Sequence, residues 1–209
     1  DISAADVKRL FALDGTSDNS AVKFISGSVD TKSSATPVQV KITQAAEQAS
    51  LTAGTALNGS IVIGDSNNGL TVKINGIEAG VTLASGTYTQ QEFTDLLETT
   101  INSTSALAGQ SVSAGLVGSN LKMTSDRYGS ASQIEIVSGS AMADLGMTAG
   151  QKSSGKDVAG SFRVNDTDEL ATGKGQILTA NSGNENTSGL LVRVSLSAAD
   201  FSGETTAQL

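Results

Sequence analysis

The chain has 209 residues, 38% of them hydrophobic, and its 13 Lys and Arg against 21 Asp and Glu give a formal charge of −8. This acidic balance repels phosphate backbones and anionic lipid, so nucleic acid and membrane surfaces are excluded as expected partners. His, Cys and Trp are absent, which excludes disulfide frameworks, thiolate metal sites and catalysis that depends on His or Cys.

A short helix is predicted near the start of the chain, and two strands are predicted after it. Ser3 and Asp6 have the spacing of a helix N-cap and its acidic N3 residue, and the helix is expected to end by Asp14. The stretches "AVKFISGSVD" and "PVQVKIT" then alternate between apolar and polar residues, as strands do. The apolar residues expected on one face of the second strand are Val38, Val40 and Ile42.

A hairpin is predicted after a stretch with few bulky residues, "AAEQASLTAGTALNGS", which marks a domain boundary. Strands are expected at "SIVIG" and "LTVKI", and the second of these leads into Asn75 and Gly76. Asn-Gly accepts positive φ at both central positions of a two-residue turn, so this pair predicts a tight hairpin. The residues expected to share its buried face are Leu70, Val72 and Ile74.

The strongest helix signal is "TYTQQEFTDLLETTINS". Thr89 and Glu92 form a capping box, in which each residue supplies a partner for the other's backbone N–H. The apolar stripe of the predicted helix consists of Phe93, Leu96, Leu97 and Ile101. At about 1.5–3 kcal/mol for each fully buried side chain, this stripe holds the helix on a sheet.

The rest of the chain predicts more strands, and the whole pattern predicts two domains. Strands are expected at "LKMTS" and "QIEIVSG", a helical turn at "SAMADLGM", a linker at "AGQKSSGK", and three final strands at "GSFRVN", "GKGQILTAN" and "GLLVRVSLS". Too few strands flank the central region to make a separate sheet on either side. Residues 1–51 and 152–209 are therefore expected to pair as one discontinuous domain, with residues 52–151 inserted between them.

Composition and pattern together predict an α+β fold that is mostly β, with antiparallel strands and a few short helices. The chain contains 29 Ser, 22 Thr and 23 Gly but a single Pro. This profile favours short strands joined by polar turns over packed helices.

No catalytic residue, cofactor or metal site is assigned from the sequence, and the chain is not expected to be an enzyme. The Asp- and Asn-rich loops at Asp14, Asp65 and Asp166 are interpreted as Asx turns, with calcium binding as the alternative, because none has the spacing of a calcium loop. A hydrolase that uses two carboxylates is the enzymatic alternative.

We interpret the remaining short motifs as ordinary structural features and not as functional sites. The N-x-Ser/Thr sequons at Asn58, Asn102, Asn165 and Asn186 are interpreted as chance matches in a Ser/Thr-rich chain. Residues 173–176, "GKGQ", have too few glycines for a phosphate loop. Arg127 and Tyr128 are interpreted as an ordinary exposed pair at a turn, with a binding tip as the alternative.

The central region resembles the flagellin hook IN motif of bacterial flagellar axial proteins. The similarity rests on "NGLTVKINGIEAGVTLASGTYTQQEFTDLLETTINS", "VSAGLVGSNLKMTSDRYGSASQIEIVSG" and "DLGM". The flanks, "PVQVKITQAAEQASL" and "DVAGSFRVNDTDELATGKGQILTANSGNENTSGLLVRV", resemble the filament cap proteins, also called hook-associated protein 2. Ala45-Ala46 departs slightly from the Leu-Ala found there, and "NDTDELATG" matches only loosely.

The resemblance implies the head of a flagellar filament cap, with an inner domain interrupted by an outer one. Such a protein is exported unfolded through the flagellar channel, forms a ring-like homo-oligomer at the distal filament tip outside the cell, and promotes flagellin folding and insertion. The implied partners are other copies of the chain, flagellin and the filament tip, with a host surface or mucin as a further candidate. The abrupt ends of the sequence predict a fragment that lacks the terminal leg helices.

Two alternatives remain open at the level of sequence. The chain could be the outer domain of a flagellin or of a hook-filament junction protein. It could also be a secreted adhesin module, in which case cell adhesion would replace assembly as its role.

Overall fold

The computed structural model of the protein describes residues 15–209. The helix predicted between Ser3 and Asp14 lies outside the described residues. The described chain consists mostly of antiparallel strands with short helices, which confirms the predicted fold class. Two compact units are formed: Gln48–Lys156, named here the continuous unit, and the described residues up to Glu47 together with Asp157–Leu209, named the split unit.

The strands are numbered along the chain. The first eight are β1 (Val22–Ser26), β2 (Gln39–Gln44), β3 (Gln48–Thr52), β4 (Ile61–Ile63), β5 (Gly69–Ile74), β6 (Ile77–Thr82), β7 (Gly86–Tyr88) and β8 (Val112–Val117). The remaining eight are β9 (Asn120–Tyr128), β10 (Gln133–Ser138), β11 (Gln151–Ser154), β12 (Ala159–Val164), β13 (Thr167–Lys174), β14 (Ile177–Ala180), β15 (Leu191–Val194) and β16 (Thr205–Gln208). The helices are α1 (Gln90–Ser103) and α2 (Met142–Leu145), with a 3-10 turn at Ser105–Leu107.

The split unit contains one seven-stranded sheet in the order β1-β15-β14-β13-β12-β2-β16. Every neighbouring pair of strands is antiparallel. Val40 and Ile42 of β2 are buried and alternate with half-buried Gln39 and Lys41, which confirms the predicted faces of this strand. The core of this unit is formed by Val22, Val40, Ile42, Ala46, Val158, Phe162, Leu178, Ala180, Leu190, Val192, Val194 and Ala207.

Two strands of the split unit were not predicted. The sequence of β13, "TDELATGK", has a polar residue at most positions, and β16 is "TTAQ". Both form because their backbones complete ladders, β13 between β12 and β14, and β16 beside β2. Edge strands and strands with polar faces need little apolar sequence, so hydrophobic alternation does not reveal them.

The continuous unit contains three antiparallel sheets around one core. Their strand orders are β11-β10-β5-β6, β3-β9-β8 and β4-β7. The largest fully buried side chains of this core are Ile74, Leu83, Phe93, Leu97, Ile101, Leu107, Leu121, Met123, Ile134 and Ile136. An almost wholly aliphatic core of this size is sufficient for a self-contained unit.

The predicted hairpin is confirmed. Asn75 and Gly76 have φ values of 50° and 89°, and Ile74 pairs with Ile77 across the turn between β5 and β6. Positive φ at both central residues is the type I′ geometry that matches the right-handed twist of the strands. The predicted buried face is also found, since β5 alternates between half-buried and buried residues.

The predicted helix and its capping box are also found. In α1 the Thr89 side chain accepts from the Glu92 backbone N–H, while the Glu92 side chain accepts from the Thr89 backbone N–H. Phe93, Leu97 and Ile101 are fully buried, but Leu96 is only half-buried. The buried face is therefore rotated slightly from the predicted one, toward buried Thr94.

No helix in the described part of the chain is long and apolar enough to cross a lipid bilayer.

The predicted linker at "AGQKSSGK" is wrong. Residues Gln151–Ser154 form β11, which pairs with Gln133–Ile136 of β10. The stretch looked like a linker because it is short of bulky side chains, yet β11 contributes mainly backbone hydrogen bonds and needs few such side chains. At the other boundary, β3 pairs with β9. The continuous unit therefore includes residues 48–51 and 152–156, just outside the predicted bounds of 52–151.

Candidate functional site

The Asp65 loop is a turn held by its neighbour Asn67. The Asn67 Oδ1 atom accepts from the Gly64 backbone N–H at 2.7 Å, and Asn67 Nδ2 donates to the Val62 carbonyl and to Asp144 Oδ2. These contacts use both ends of the Asn67 amide to hold the loop. Within residues 15–209 no group of three acidic side chains comes together as a metal site, and Asp14 lies outside the described residues.

The Asp166 loop is a two-residue hairpin turn. Asn165 and Asp166 both have positive φ, 47° and 64°, and connect β12 to β13. Arg163 pairs with Asp166 and with Asp168 at 3.4 Å each. Asp166 is 96% exposed, so these pairs contribute little to stability. On the other side of the turn, Thr36 Oγ1 donates to Asn165 Oδ1 at 2.9 Å.

The two glycines of "GKGQ" have different structural roles. Gly173 lets the backbone at Val158 come close, and Gly175 forms a turn. A Cβ atom at Gly173 would lie 1.6 Å from the Val158 carbonyl oxygen, so no other residue fits without moving the backbone. Gly175 sits at the turn between β13 and β14 with φ 58°, and its N–H donates to Asp157 Oδ1 at 2.7 Å. That N–H is thus engaged by a carboxylate of the protein.

The sequon asparagines differ in how far their side chains are engaged. Asn102 Nδ2 donates to the Val112 carbonyl and Asn102 Oδ1 accepts from the Val112 N–H, so both ends of its amide are used. Asn186 Nδ2 donates to Glu169. Asn58 is exposed, in the segment that precedes β4.

Arg127 and Tyr128 lie at the end of β9. Arg127 Nη2 donates to the Gly109 carbonyl at 3.3 Å, and the Arg127 N–H donates to Ser125 Oγ. Tyr128 is 37% exposed and pairs with Gln48 of β3. The arginine is therefore attached to the neighbouring loop through its guanidinium.

A buried carboxylate holds the loop between β14 and β15. Glu169 on β13 is only 6% exposed. Its Oε1 atom accepts from Asn186 N and Asn186 Nδ2 at 2.9 and 2.8 Å, and its Oε2 atom accepts from Thr187 N and Thr187 Oγ1 at 2.8 and 2.6 Å. Burial by itself raises the pKa of Glu169, but the hydrogen bonds from Thr187 and Asn186 outweigh burial and lower the pKa below its ordinary value. This group could not be recognised in the sequence, because nothing local distinguishes Glu169 from any other acidic residue in a polar stretch.

The hairpin turn joins three other segments through the side chain of Asn75. Its Oδ1 atom accepts from Ser125 Oγ at 3.0 Å and from the Gln133 N–H at 2.9 Å, while Nδ2 donates to Gln110 Oε1 at 3.0 Å. The Asn75 backbone N–H also donates to the Gln133 carbonyl. The residue selected for its turn geometry therefore also connects β9, β10 and the loop before β8. The Asn-Gly signature predicts the turn but gives no sign of these contacts.

Two of the surface cavities among the described residues have volumes of about 190 Å³ each. The one in the split unit is lined mainly by polar residues, including Lys32, Thr36, Asn165 and Asn186, and the other lies over β8 and β9. Sites for small organic ligands are usually about 300–1,000 Å³ and rich in aromatic side chains. Neither cavity has an aromatic residue in its lining.

Two carboxylates with lowered pKa values, Glu92 and Glu169, serve structural roles. Hydrogen bonds from the backbone and side chain of Thr89 lower the pKa of Glu92 in the capping box of α1. Glu169 holds a loop, as described above. Catalytic acids and bases, by contrast, are usually found with shifted pKa values inside a cleft.

Comparisons with known proteins relate the fold to flagellar cap proteins. No protein-family model matches the chain, and no curated protein matches it; the flagellin hook IN motif expected from the sequence therefore has no matching model. The chain is similar to the D2-D3 domains of the flagellar cap protein FliD from Escherichia coli, with a TM-score of 0.51 and 15% identity over 92% of this chain and 95% of that one.

Two further solved structures give the same result. The D1-D2-D3 domains of FliD from Escherichia coli match with a TM-score of 0.52 and 16% identity, and the match covers 92% of this chain but 56% of that longer one. The flagellar cap protein FliD from Bdellovibrio bacteriovorus matches with a TM-score of 0.52 and 11% identity, over 93% of this chain and 99% of that one. Likeness at these identities concerns architecture and not chemistry. The chain has the fold of the D2-D3 domains of flagellar cap proteins.

Proposed function

We propose that this chain is the head region of a bacterial flagellar filament cap protein, a structural and assembly protein without catalytic activity. The observation that carries the proposal is the extent of the structural likeness, which covers 92% of this chain and 95% of a cap-protein fragment defined as its D2-D3 domains. A likeness confined to one unit would fit many β proteins, whereas this one spans both compact units.

In the proposed mechanism the heads associate with one another at the distal filament tip, outside the cell. The oligomer holds the rest of each chain where incoming flagellin subunits fold and insert. A cyclic arrangement of identical chains needs only one repeated contact between neighbours, so a ring is the economical form of such an oligomer. In this proposal the split unit is the inner head domain and the continuous unit is the outer one.

The chemistry of the chain suits export through the flagellar channel in an unfolded state. The sequence has no Cys, so no disulfide would have to be broken before passage or formed after it. Both cores consist mainly of aliphatic side chains, with Phe93 and Phe162 as their fully buried aromatic residues. Such cores are held by non-directional burial and can form again once the chain has left the channel.

The test is complementation of a flagellated strain that lacks its cap protein. The full-length protein containing this chain is expected to restore filaments and swimming, and to end the loss of unassembled flagellin into the medium. The matched control is the same protein without Gln48–Lys156, the continuous unit. Full-length protein that is exported and folded but leaves the strain without filaments would contradict the proposal.

Binding to a host surface or to mucin is a separate possibility for this extracellular head, and the same strains test it. Glycan or mucin binding by the chain, combined with normal filaments after deletion of its gene, would favour an adhesin module. The polar cavity near Lys32 and Asn186 has no aromatic lining on which a sugar ring could stack. Assembly is for that reason the function proposed first.

A further inference from the structure

Three Asn-Gly pairs in the continuous unit differ sharply in their surroundings. They are Asn58-Gly59, Asn68-Gly69 and Asn75-Gly76. Asn-Gly is the dipeptide most prone to spontaneous deamidation, because Gly has no Cβ to shield its backbone nitrogen. In that reaction the Gly nitrogen attacks the Asn Cγ atom and a succinimide ring forms. The Asn side-chain nitrogen leaves as ammonia together with the proton of the Gly N–H, and water then opens the ring to Asp or isoaspartate.

The fold protects Asn75 from this reaction. Three hydrogen bonds fix its side-chain amide, from Ser125 and Gln133 to Oδ1 and from Nδ2 to Gln110. The Cγ atom therefore cannot turn toward the Gly76 nitrogen unless these contacts break. Asn75 also has φ 50° in a turn that β5 and β6 hold on both sides.

The second pair, Asn68-Gly69, is protected because the attacking nitrogen, that of Gly69, is hydrogen-bonded. The Gly69 N–H donates to Ser140 Oγ at 3.1 Å, and Gly69 pairs with Thr82 at the start of β5. The nitrogen that must attack is therefore engaged. The Asn68 side chain makes no hydrogen bond with another described residue, so this pair is less restrained than Asn75.

The first pair has neither kind of protection. Asn58 and Gly59 are both exposed and lie outside any helix or strand. No described residue forms a hydrogen bond with the Asn58 side chain or with the Gly59 N–H, and a Cβ built on Gly59 meets no atom within 4 Å. Only the preceding residue is fixed, since the Leu57 N–H donates to the Ser119 carbonyl and Gln90 Nε2 donates to the Leu57 carbonyl.

We propose that Asn58 is the site at which the folded protein deamidates, and that the fold guards Asn75, where the same change would disrupt the turn that contacts β9 and β10. Deamidation at Asn58 adds one negative charge next to Leu57, which Gln90 attaches to the first turn of α1. Negative charge is favourable near a helix N-terminus, so the modified chain keeps its fold. Deamidation at Asn75 removes the donor to Gln110, and isoaspartate there lengthens a two-residue turn that has no room for an extra backbone atom.

The test is peptide mapping by tandem mass spectrometry after incubation of the folded chain in mildly alkaline buffer. We expect deamidation fastest at Asn58, slower at Asn68 and slowest at Asn75. Each hydrogen bond of the Asn75 amide is expected to slow its reaction about fivefold, so the ratio between Asn58 and Asn75 is on the order of one hundred. Equal rates at these two sites in the folded chain would overturn the proposal.

Denaturant and point variants distinguish protection by the fold from an effect of the local sequence on the deamidation rate. In concentrated urea Asn58 and Asn75 are expected to react at similar rates, and a persistent difference there would assign the protection to sequence alone. Ser125→Ala removes one bond to Asn75 and is expected to raise its rate about fivefold, with Ser113→Ala, at an exposed position of β8, as the control. Gly59→Ala is expected to suppress the reaction at Asn58 only. If the Ser125 variant reacts at Asn75 no faster than the Ser113 control, the proposed guard is refuted.

Discussion

Replacing Glu169 by Gln is expected to destabilise the split unit by about 2–4 kcal/mol at neutral pH. The carboxylate accepts four hydrogen bonds, two from Asn186 and two from Thr187. A Gln amide has one oxygen, so it can keep two of these bonds while its NH₂ group faces the other two donors. The Thr187 hydroxyl can rotate to accept from that NH₂ group.

The backbone N–H of Thr187 has no such option and is left buried without an acceptor. An orphaned buried N–H costs about 1–3 kcal/mol, and the loss of charge from the bonds that remain adds to this figure. The assay is urea unfolding followed by circular dichroism. Glu185→Gln is the control, because Glu185 is 82% exposed and its pair with Lys32 is a surface contact at 3.5 Å. We expect the control to change stability by less than about 0.5 kcal/mol.

The pH dependence of the free energy of unfolding gives an independent check on the role of Glu169. Because the folded-state pKa of Glu169 is lowered from its ordinary value of 4.5, the stabilisation by its carboxylate is fully present above that value and is lost as the pH falls through the lower folded-state pKa. The stability difference between the wild-type chain and Glu169→Gln should therefore shrink as the pH drops below 4.5. A difference that is already near zero at neutral pH, or that stays constant into acid, would refute the assigned role.

Further substitutions at three positions test the packing and the helix cap of the fold. Phe93→Ala should destabilise the continuous unit by about 3–5 kcal/mol, since the ring is fully buried; Phe93→Asp should unfold this unit, and an unchanged circular dichroism spectrum and melting temperature would show that the helix is wrongly placed. Thr89→Ala should cost about 1 kcal/mol through loss of the N-cap, measured by urea unfolding, and no change would contradict the capping box. Gly173→Ala should cost about 3 kcal/mol because its Cβ meets the Val158 carbonyl, whereas Gly80→Ala, with no atom in the way, serves as the calorimetric control.

Features that depend on neighbours in sequence could be predicted from sequence. The capping box of α1, its buried Phe93 and the turn at Asn75 all follow from residues within a few positions of one another. The faces of β2 and β5 followed in the same way from alternation. In each case local propensity and tertiary packing favour the same structure.

Features that depend on distant partners could not be predicted. Glu169 finds its donors 17 and 18 residues away, in a loop with no signature of its own. Strands β11 and β13 form because each can hydrogen-bond to the backbone of a neighbouring strand. Their side chains give little indication of this pairing. The contacts of Asn75 with Ser125 and Gln133 lie 50 and 58 residues away. Tertiary context decides these features, and the local pattern does not contain it.

Electron microscopy of labelled filaments tests the central claim most directly. A short epitope tag is inserted at Gly183, an exposed loop residue whose surroundings leave room for it, in the full-length protein expressed in its own host. If the chain is the head of a filament cap, gold-labelled antibody should mark only the distal end of each filament. Label along the whole filament would instead indicate a flagellin, label at the hook a junction protein, and label absent from the flagellum would contradict the assignment altogether.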